Sequence, residues 1–134
     1  MTELARKLGL KAGARCRMWQ VPDHVAGALA GALEGAVPGD PPDWLIGVCE
    51  GSTDVARAAV DLVPAYPRGG HLWLAYPKRA SGMVTDLTRD RGWAPVLALD
   101  LLPVTQVAVD DTWSALRWRH RDEIARLTRS FVKT

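Results

Sequence analysis

The sequence has few of the residues from which proteins build metal and thiol sites. It contains only two cysteines, Cys16 and Cys49, and three scattered histidines, with no CxxC motif and no Cys/His cluster. This shortage argues against zinc-binding and disulfide-framework classes, so no metal site is predicted and both thiols are expected to be reduced. Long apolar stretches are also missing: no run approaches the roughly 18 residues of a membrane span, and the N-terminus lacks a signal-peptide core. We therefore expect a cytoplasmic protein that makes no membrane contact.

The residues that are present are typical of a globular domain. Of the 134 residues 48% are hydrophobic and 24% are charged, well away from disordered or fibrous compositions. A chain of this length buries roughly 68–70% of the surface that its unfolded form exposes, which is enough for a core. We expect one domain over residues 1–120, followed by a charged helical extension, 121–134, that packs on the domain or on a partner.

The net charge of +2 is spread unevenly along the chain. Residues 1–17 carry five cations against one acid, residues 117–134 carry six against two, and the middle carries six against twelve. Basic ends of this kind can attract nucleic acid or an acidic partner. However, no basic motif interleaved with aromatic residues accompanies them, so we interpret them as solvated helices and strand ends, and nucleic acid is not the expected partner.

The hydrophobic periodicity predicts an α/β protein. Strands are predicted at residues 15–20, 44–50, 71–76, 104–109 and 115–120. Helices are predicted at residues 3–8, after Pro22, after residues 52–54, from Thr85 or Asp86, from Pro95 through Leu102, and at 121–133. The first three strands alternate with helices, which is the pattern of a parallel sheet with right-handed crossovers, and the last two form a hairpin around "DDTWS".

Three segments resemble those of class I methyltransferase-type Rossmann folds. "LARKLGLKAGARC" is similar to the entry into the first strand, "YPRGGHLWLAYPK" to a proline-glycine-glycine step before a strand, and "VAVDDTWSALRW" to the closing hairpin. Together with "PKRASGMVTDLT", these segments resemble a small bacterial family, a domain of unknown function, with a shortened fold of this type. The resemblance implies a truncated sheet of about five strands in the order 15–20, 44–50, 71–76, 115–120, 104–109, with the last but one antiparallel and helices on both faces.

The sequence departs from the methyltransferase pattern where S-adenosylmethionine would bind. The first strand ends in "MWQVPD", so Trp19, Gln20 and Pro22 stand where that fold has a glycine-rich loop. Two outer strands are expected to be missing, and with them the acidic residue that holds the ribose hydroxyls. We therefore expect a degenerate cofactor site and no cofactor. The shortened sheet would leave strand 15–20 at an edge, which favours a homodimer.

Candidate site residues lie after the predicted parallel strands, because ligands of open α/β sheets bind beyond the carboxyl ends of those strands. They are Glu50, Ser52, Lys78, Ser81, Thr85, Asp86, Asp110, Asp111 and Trp113. No nucleophile and base stand at a recognisable spacing, so no catalytic residue is predicted.

Two interpretations of this rim remain open. In one, Lys78 contacts the phosphate or carboxylate of a small anionic ligand, and Trp113 forms a stacking wall. In the other, Lys78 pairs with Asp110 or Asp111, Thr85 caps a helix and Trp113 packs on the hairpin, so that the residues only hold the loop. The sequence favours a non-catalytic, dimeric binding or regulatory protein. The alternative is an enzyme or a nucleotide- or anion-binding protein that uses Lys78, Asp110 and Trp113.

Overall fold

A mixed six-stranded sheet runs through the protein, in a computed structural model that describes residues 2–124. The strands are β1 (Arg15–Trp19), β2 (Val37–Pro38), β3 (Trp44–Val48), β4 (His71–Pro77), β5 (Leu101–Ala108) and β6 (Trp113–His120). The helices are α1 (Glu3–Leu8), α2 (Asp23–Leu29), α3 (Ser52–Asp61) and α4 (Ala94–Leu97), with single 3-10 turns at Val63–Ala65, Arg79–Ser81 and Arg121–Ile124. Residues 125–134 lie outside the described part, and with them most of the predicted extension. None of the helices in residues 2–124 is long and apolar enough to cross a membrane.

The two central strands are buried on both faces because a helical layer covers each side. Alternate residues of β4 divide between two cores: Leu72 and Leu74 pack with α3 and α4, whereas Trp73 and Ala75 pack with α1 and α2. Residues of β3 alternate in the same way. Strands of this kind have near-continuous apolar sequences, which is why "WLIGVC" and "HLWLAY" were recognisable from the sequence.

The sheet order is β2-β1-β3-β4-β6-β5. The first four strands in this order run parallel, and β6 inserts antiparallel between β4 and β5. The predicted order of the five longer strands is confirmed. The predicted number of strands is wrong, since the chain forms a sixth, β2, which is only two residues long.

Strand β2 also corrects the predicted edge of the sheet. It pairs with Arg15 and Cys16, so β1 is not the outermost strand along its whole length. A two-residue strand therefore lies outside β1, where the sequence analysis expected none. Pro38 lacks the amide that an incoming strand would need, which limits pairing at this edge. The homodimer stays a prediction, and the unpaired edge that motivated it is shorter than expected.

The predicted helices between residues 85 and 102 are wrong at two points. No helix begins at Thr85 or Asp86: the Thr85 hydroxyl accepts the amide of Leu87 at 3.1 Å, and the chain continues as a loop. Helix α4 ends at Leu97, and the chain reverses at Asp100, whose φ is 65°, directly into β5. Pro103 does not stop a helix but lies within β5, beside a bulge, which is tolerated because β5 pairs only with β6.

Candidate functional site

The crevice between β1 and β3 is where the strand order of the sheet reverses direction. The chain runs from β1 to β2 on one side of β1, and then crosses to β3 on the other side. The carboxyl ends of β1 and β3 therefore flank a topological switch point. Gln20 directly follows β1, and its side-chain amide donates to the carbonyl oxygen of Val48 at 3.3 Å. Its backbone has a φ of 53°, a conformation that non-glycine residues rarely adopt. The Gln20 side chain thus bridges the two strand ends.

The indole of Trp19 lies against the sheet beside this bridge. A methyl group built on Gly47 of β3 would come within 3.1 Å of Cε3 of Trp19 and 2.8 Å of Cδ2 of Leu62, so the ring and helix α3 both press on that glycine. The guanidinium of Arg57 lies over the Trp19 ring, with its Cζ 5.6 Å from the ring centre. Trp19 is only partly exposed and belongs to the core beneath α3. Side chains of this chain therefore fill the part of the crevice that faces α3.

The N-terminus of α3, next to the crevice, already has an anion of its own. The Asp86 carboxylate accepts the backbone amide of Ser52 at 2.7 Å and also bonds the Ser52 hydroxyl. These two hydrogen bonds hold the pKa of Asp86 below its usual value. The carboxylate of Asp54 accepts the amide of Glu50 at 2.9 Å. A helix N-terminus attracts anions because its first amides lack partners, and here the chain itself supplies a carboxylate to the first of them, that of Ser52.

Thr85 joins the same group of residues. Its hydroxyl donates to the carbonyl oxygen of Glu50 at 2.6 Å, while the Glu50 carboxylate is exposed. Four of the candidate residues, Glu50, Ser52, Thr85 and Asp86, are thus brought together, but through bonds that fasten the loop after β4 to the start of α3. Thr85 and Asp86 do not begin a helix that could offer free amides to a ligand.

The other five candidates lie around the end of β4 and the β5–β6 turn. The Lys78 amide donates to the carbonyl oxygen of Thr112 at 2.8 Å, and the Ser81 hydroxyl donates to the carbonyl oxygen of Lys78 at 2.6 Å. Asp110 accepts the amides of Thr112 and Trp113, both at 2.8 Å, and so closes the turn. Asp111 is exposed. Within residues 2–124 neither aspartate forms an ion pair with Lys78, contrary to one of the two sequence interpretations.

Trp113 does not form an accessible wall. It is 0% exposed, and its ring packs in the core beneath α1 and α2, with its centre 5.8 Å from that of His24. Its indole N–H is buried without a hydrogen-bond partner among the described residues. A ligand that stacked on this ring would have to displace the core. The ring packs against helices α1 and α2, so it neither forms the expected wall nor rests on the hairpin alone.

The side chain of Lys78 instead lines a cleft that the sequence analysis did not predict. This cleft has a volume of about 560 Å³ and is lined by Tyr76, Lys78, Arg79, Arg89, Gln106, Ala108 and Ser114. It lies on the same face of β4, β6 and β5 as helices α3 and α4. At its base the Gln106 side-chain amide donates to the Tyr76 hydroxyl at 3.1 Å. No spacing rule joins Gln106 or Arg89 to Lys78, because the pairing of β6 between β4 and β5 places Gln106 and the path of the loop after β4 places Arg89.

A polar network at the opposite end of the sheet was also missed. The Glu123 carboxylate accepts the Tyr66 hydroxyl and the Gly69 amide, both at 2.7 Å, and the His120 amide at 2.8 Å. Burial, reinforced by Glu123, raises the pKa of Tyr66 to about 12. Nearby, burial and the cations Arg117 and Arg119 lower the pKa of His71 to about 4. The three hydrogen bonds of Glu123 tie the last described turn to the segment before β4, whereas Nε of Arg117 and Nε of Arg119 are buried without a hydrogen-bond partner among the described residues.

No metal or thiol chemistry is indicated by the described residues. Across residues 2–124, no group of three or more His, Cys, Asp or Glu side chains is arranged to hold a metal ion. Both cysteines are free, as predicted. Burial raises the pKa of both thiols, that of Cys49 to about 12, which keeps them in the weakly nucleophilic protonated form.

Comparison with solved structures identifies the architecture. A crystal structure of a protein in the NADB-Rossmann superfamily from Streptococcus agalactiae superimposes with a TM-score of 0.50 over 90% of this chain and 68% of that one, at 12% sequence identity. The fold is Rossmann-like. At this identity the likeness concerns the fold alone. No family model and no curated protein matches the sequence, so the family resemblance given above stays a prediction.

Proposed function

We propose that this chain is a non-catalytic, Rossmann-like binding protein whose adenosyl-cofactor crevice is closed by its own side chains. The observation that carries the proposal is the bridge across the switch point, where Gln20 bonds Val48 and Trp19 lies on Gly47. Cofactors of this fold bind in that crevice through a glycine-rich turn that allows close backbone approach. Bulky side chains at the same place remove both the space and the free amides.

The strand order supports a methyltransferase-like origin for the scaffold. Insertion of β6 antiparallel between β4 and β5 is the feature on which that resemblance rests. The retained β2 is followed by Asp40, close to where the acidic ribose ligand of the complete fold is expected. Its carboxylate is 2.9 Å from the guanidinium of Arg17, an exposed ion pair. In this proposal, Trp19 and Gln20 replace the glycine-rich turn, and the acidic residue forms an ion pair with Arg17 in place of a ribose.

The proposal is tested by titrating the wild-type protein with S-adenosylmethionine and S-adenosylhomocysteine in a calorimeter. We expect no saturable heat, under conditions in which an active methyltransferase binds both compounds. A Gln20→Gly variant is the informative partner, since glycine accepts the positive φ and cannot form the bridge. Saturable binding by the wild type, or methyl transfer to any acceptor, contradicts the proposal. Binding gained by the variant alone supports closure by Gln20.

A further inference from the structure

We propose that the cleft above β4, β6 and β5 binds a small phosphomonoester, with Lys78, Arg79 and Arg89 around the phosphate group. All three cations line this one cleft of about 560 Å³. The proposed function is binding without a named ligand, and this inference names the class of that ligand. It rests on the proposed function only in assuming that the protein binds a ligand. Its residues are different from those that close the crevice between β1 and β3.

The first argument is the distribution of ion pairs. Residues 2–124 contain fourteen lysines and arginines, of which eight form side-chain ion pairs within 4.0 Å. Four of the remaining six, Lys78, Arg79, Arg89 and Arg91, lie in a single segment of fourteen residues, 78–91. Of the ten other lysines and arginines in residues 2–124, eight are paired with an acid, and only Lys11 and Arg117 are not. The segment therefore concentrates positive charge that the described chain does not neutralise.

The second argument is charge matching. Arg89 also lines an adjoining cleft of about 260 Å³, to which Asp90 contributes a carboxylate. Three cations and one carboxylate leave a local formal charge of +2. A phosphomonoester carries roughly −1.5 to −2 at neutral pH, so one such group balances this charge, whereas a single carboxylate does not. Two arginines also suit phosphate, because the guanidinium fork donates two parallel hydrogen bonds.

The third argument is the polar floor of the cleft. Tyr76 is buried, and burial raises the pKa of its hydroxyl, which therefore remains protonated at neutral pH. That hydroxyl oxygen accepts the Gln106 amide and also interacts with the Ser114 hydroxyl, so this pair of hydroxyls can offer one O–H to a ligand oxygen. Ser114, buried on the neighbouring strand, adds a hydroxyl to the same lining. The cleft thus combines charged donors at its rim with neutral donors at its base.

The adjoining cleft indicates what accompanies the phosphate. It shares Arg89 and Gln106 with the first cleft and adds apolar surface from Pro103, Val104 and Leu116. A small organic group attached to the phosphate can lie on that surface. Together the two clefts have the size of ordinary small-molecule sites, which span roughly 300–1,000 Å³.

A nucleic acid is the less suitable phosphate source. Sites for single strands combine a basic groove with aromatic rings on which bases stack. The aromatic rings next to this cleft, Tyr76 and Trp93, are each 3% exposed and contact each other edge to face. The ring faces are thus unavailable to bases, and the cations converge on one concave site.

The test uses ribose 5-phosphate as the probe and ribose as its phosphate-free control, titrated calorimetrically into the full chain at low salt. We expect ribose 5-phosphate to bind and ribose not to bind. An Arg89→Gln variant should weaken binding roughly tenfold or more, since hydrogen bonds to charged groups are worth about 1.5–3 kcal/mol. An Arg6→Gln variant removes the same charge from α1, outside the cleft, and should leave affinity unchanged. Arg89 and Arg6 are both exposed, so neither variant should impair folding.

Four results would overturn the inference. They are no binding of ribose 5-phosphate by the wild type, equal weakening by Arg89→Gln and Arg6→Gln, equal affinity for inorganic phosphate, and binding of a short single-stranded oligonucleotide in its place. The last result would also show a steep loss of affinity with added salt. None of them bears on the titration with S-adenosylmethionine, because no residue of this cleft closes the other crevice.

Discussion

The carboxylate of Asp86 accepts the backbone amide of Ser52, the first residue of helix α3, at 2.7 Å, from a loop 34 residues away in the chain. The same carboxylate bonds the Ser52 hydroxyl. In a Rossmann-like sheet this helix terminus stands beside the carboxyl ends of the strands, where ligands with negative groups bind. The Asp86 carboxylate thus occupies the position of such a ligand, and its bonds to Ser52 hold the loop after β4 against helix α3.

An Asp86→Ala variant should therefore have a lower urea midpoint at pH 7 than the wild type. The hydrogen bonds from Ser52 lower the pKa of Asp86, so their stabilisation is present above the unfolded value of about 3.9 and is lost as pH falls through the lower folded value. The difference between variant and wild type should shrink in that acid range. Asp111→Ala, at an exposed aspartate, is the control and should leave the midpoint unchanged. Equal midpoints for Asp86→Ala and wild type at pH 7 would refute the capping role.

Two glycine-to-alanine substitutions should change stability in opposite directions. A Cβ at Gly47 would stand 2.8 Å from Leu62 and 3.1 Å from Trp19, so Gly47→Ala should lower the free energy of unfolding by about 1–3 kcal/mol through overpacking. A Cβ at Gly27, in helix α2, meets nothing within 4 Å, so Gly27→Ala should raise that free energy by about 0.4–1 kcal/mol. Chemical denaturation of both variants measures the contrast. An unchanged free energy of unfolding in Gly47→Ala would mean that Trp19 does not press on β3.

Two buried tryptophans should show non-additive losses when they are replaced. The indole N–H groups of Trp44 and Trp73 both donate to the carbonyl oxygen of Leu8, at 2.8 and 3.0 Å. A single Trp→Phe variant leaves that carbonyl one partner, whereas the double variant leaves it without either indole. The double variant should therefore lose about 1 kcal/mol more than the sum of the single variants. Strict additivity in this double-mutant cycle would show that the two bonds are energetically independent.

Neither tyrosine of the folded protein should ionise near its ordinary pKa of about 10. The sequence has two tyrosines, and burial is the largest cause that raises the pKa of both, that of Tyr66 to about 12. A raised folded pKa means that the associated stability is complete below pH 10 and declines above it. Phenolate absorbance should therefore appear late in a native titration and near pH 10 in urea. Tyr66→Phe should remove the later of the two transitions; a native Tyr66 that ionises near pH 10 would contradict its burial.

The sequence was sufficient for the central sheet because β3 and β4 are apolar on both faces and the terminal hairpin alternates regularly. It was insufficient for β2, which is two residues long, contains Pro38 and has no periodicity to detect. The helix predicted through Leu102 failed because an apolar run of this length fits a helix or a strand equally well, and the reversal at Asp100 decided between them.

The sequence placed the candidate residues after the strands, but it did not predict which of them contact one another. Residues after β3 and β4 do meet at one rim, as strand-end geometry requires. Which of them pair depends on the path of the loop after β4, and no short-range pattern encodes a bond between Ser52 and Asp86. Glu123 illustrates the same limit, since its partners Tyr66 and Gly69 are 57 and 54 residues away in the chain.

The position of β6 has a consequence for the order in which the chain can fold. Strand β4 can pair with β3 as soon as β4 itself is made, but its other side stays open until residues 113–120 have been synthesised. Strand β5, made earlier, cannot take its place beside β4 without β6 between them. The sheet therefore closes last at its middle, so a nascent chain that stalls before residue 113 exposes the apolar edge of β4, and chaperone dependence should be greatest at that stage.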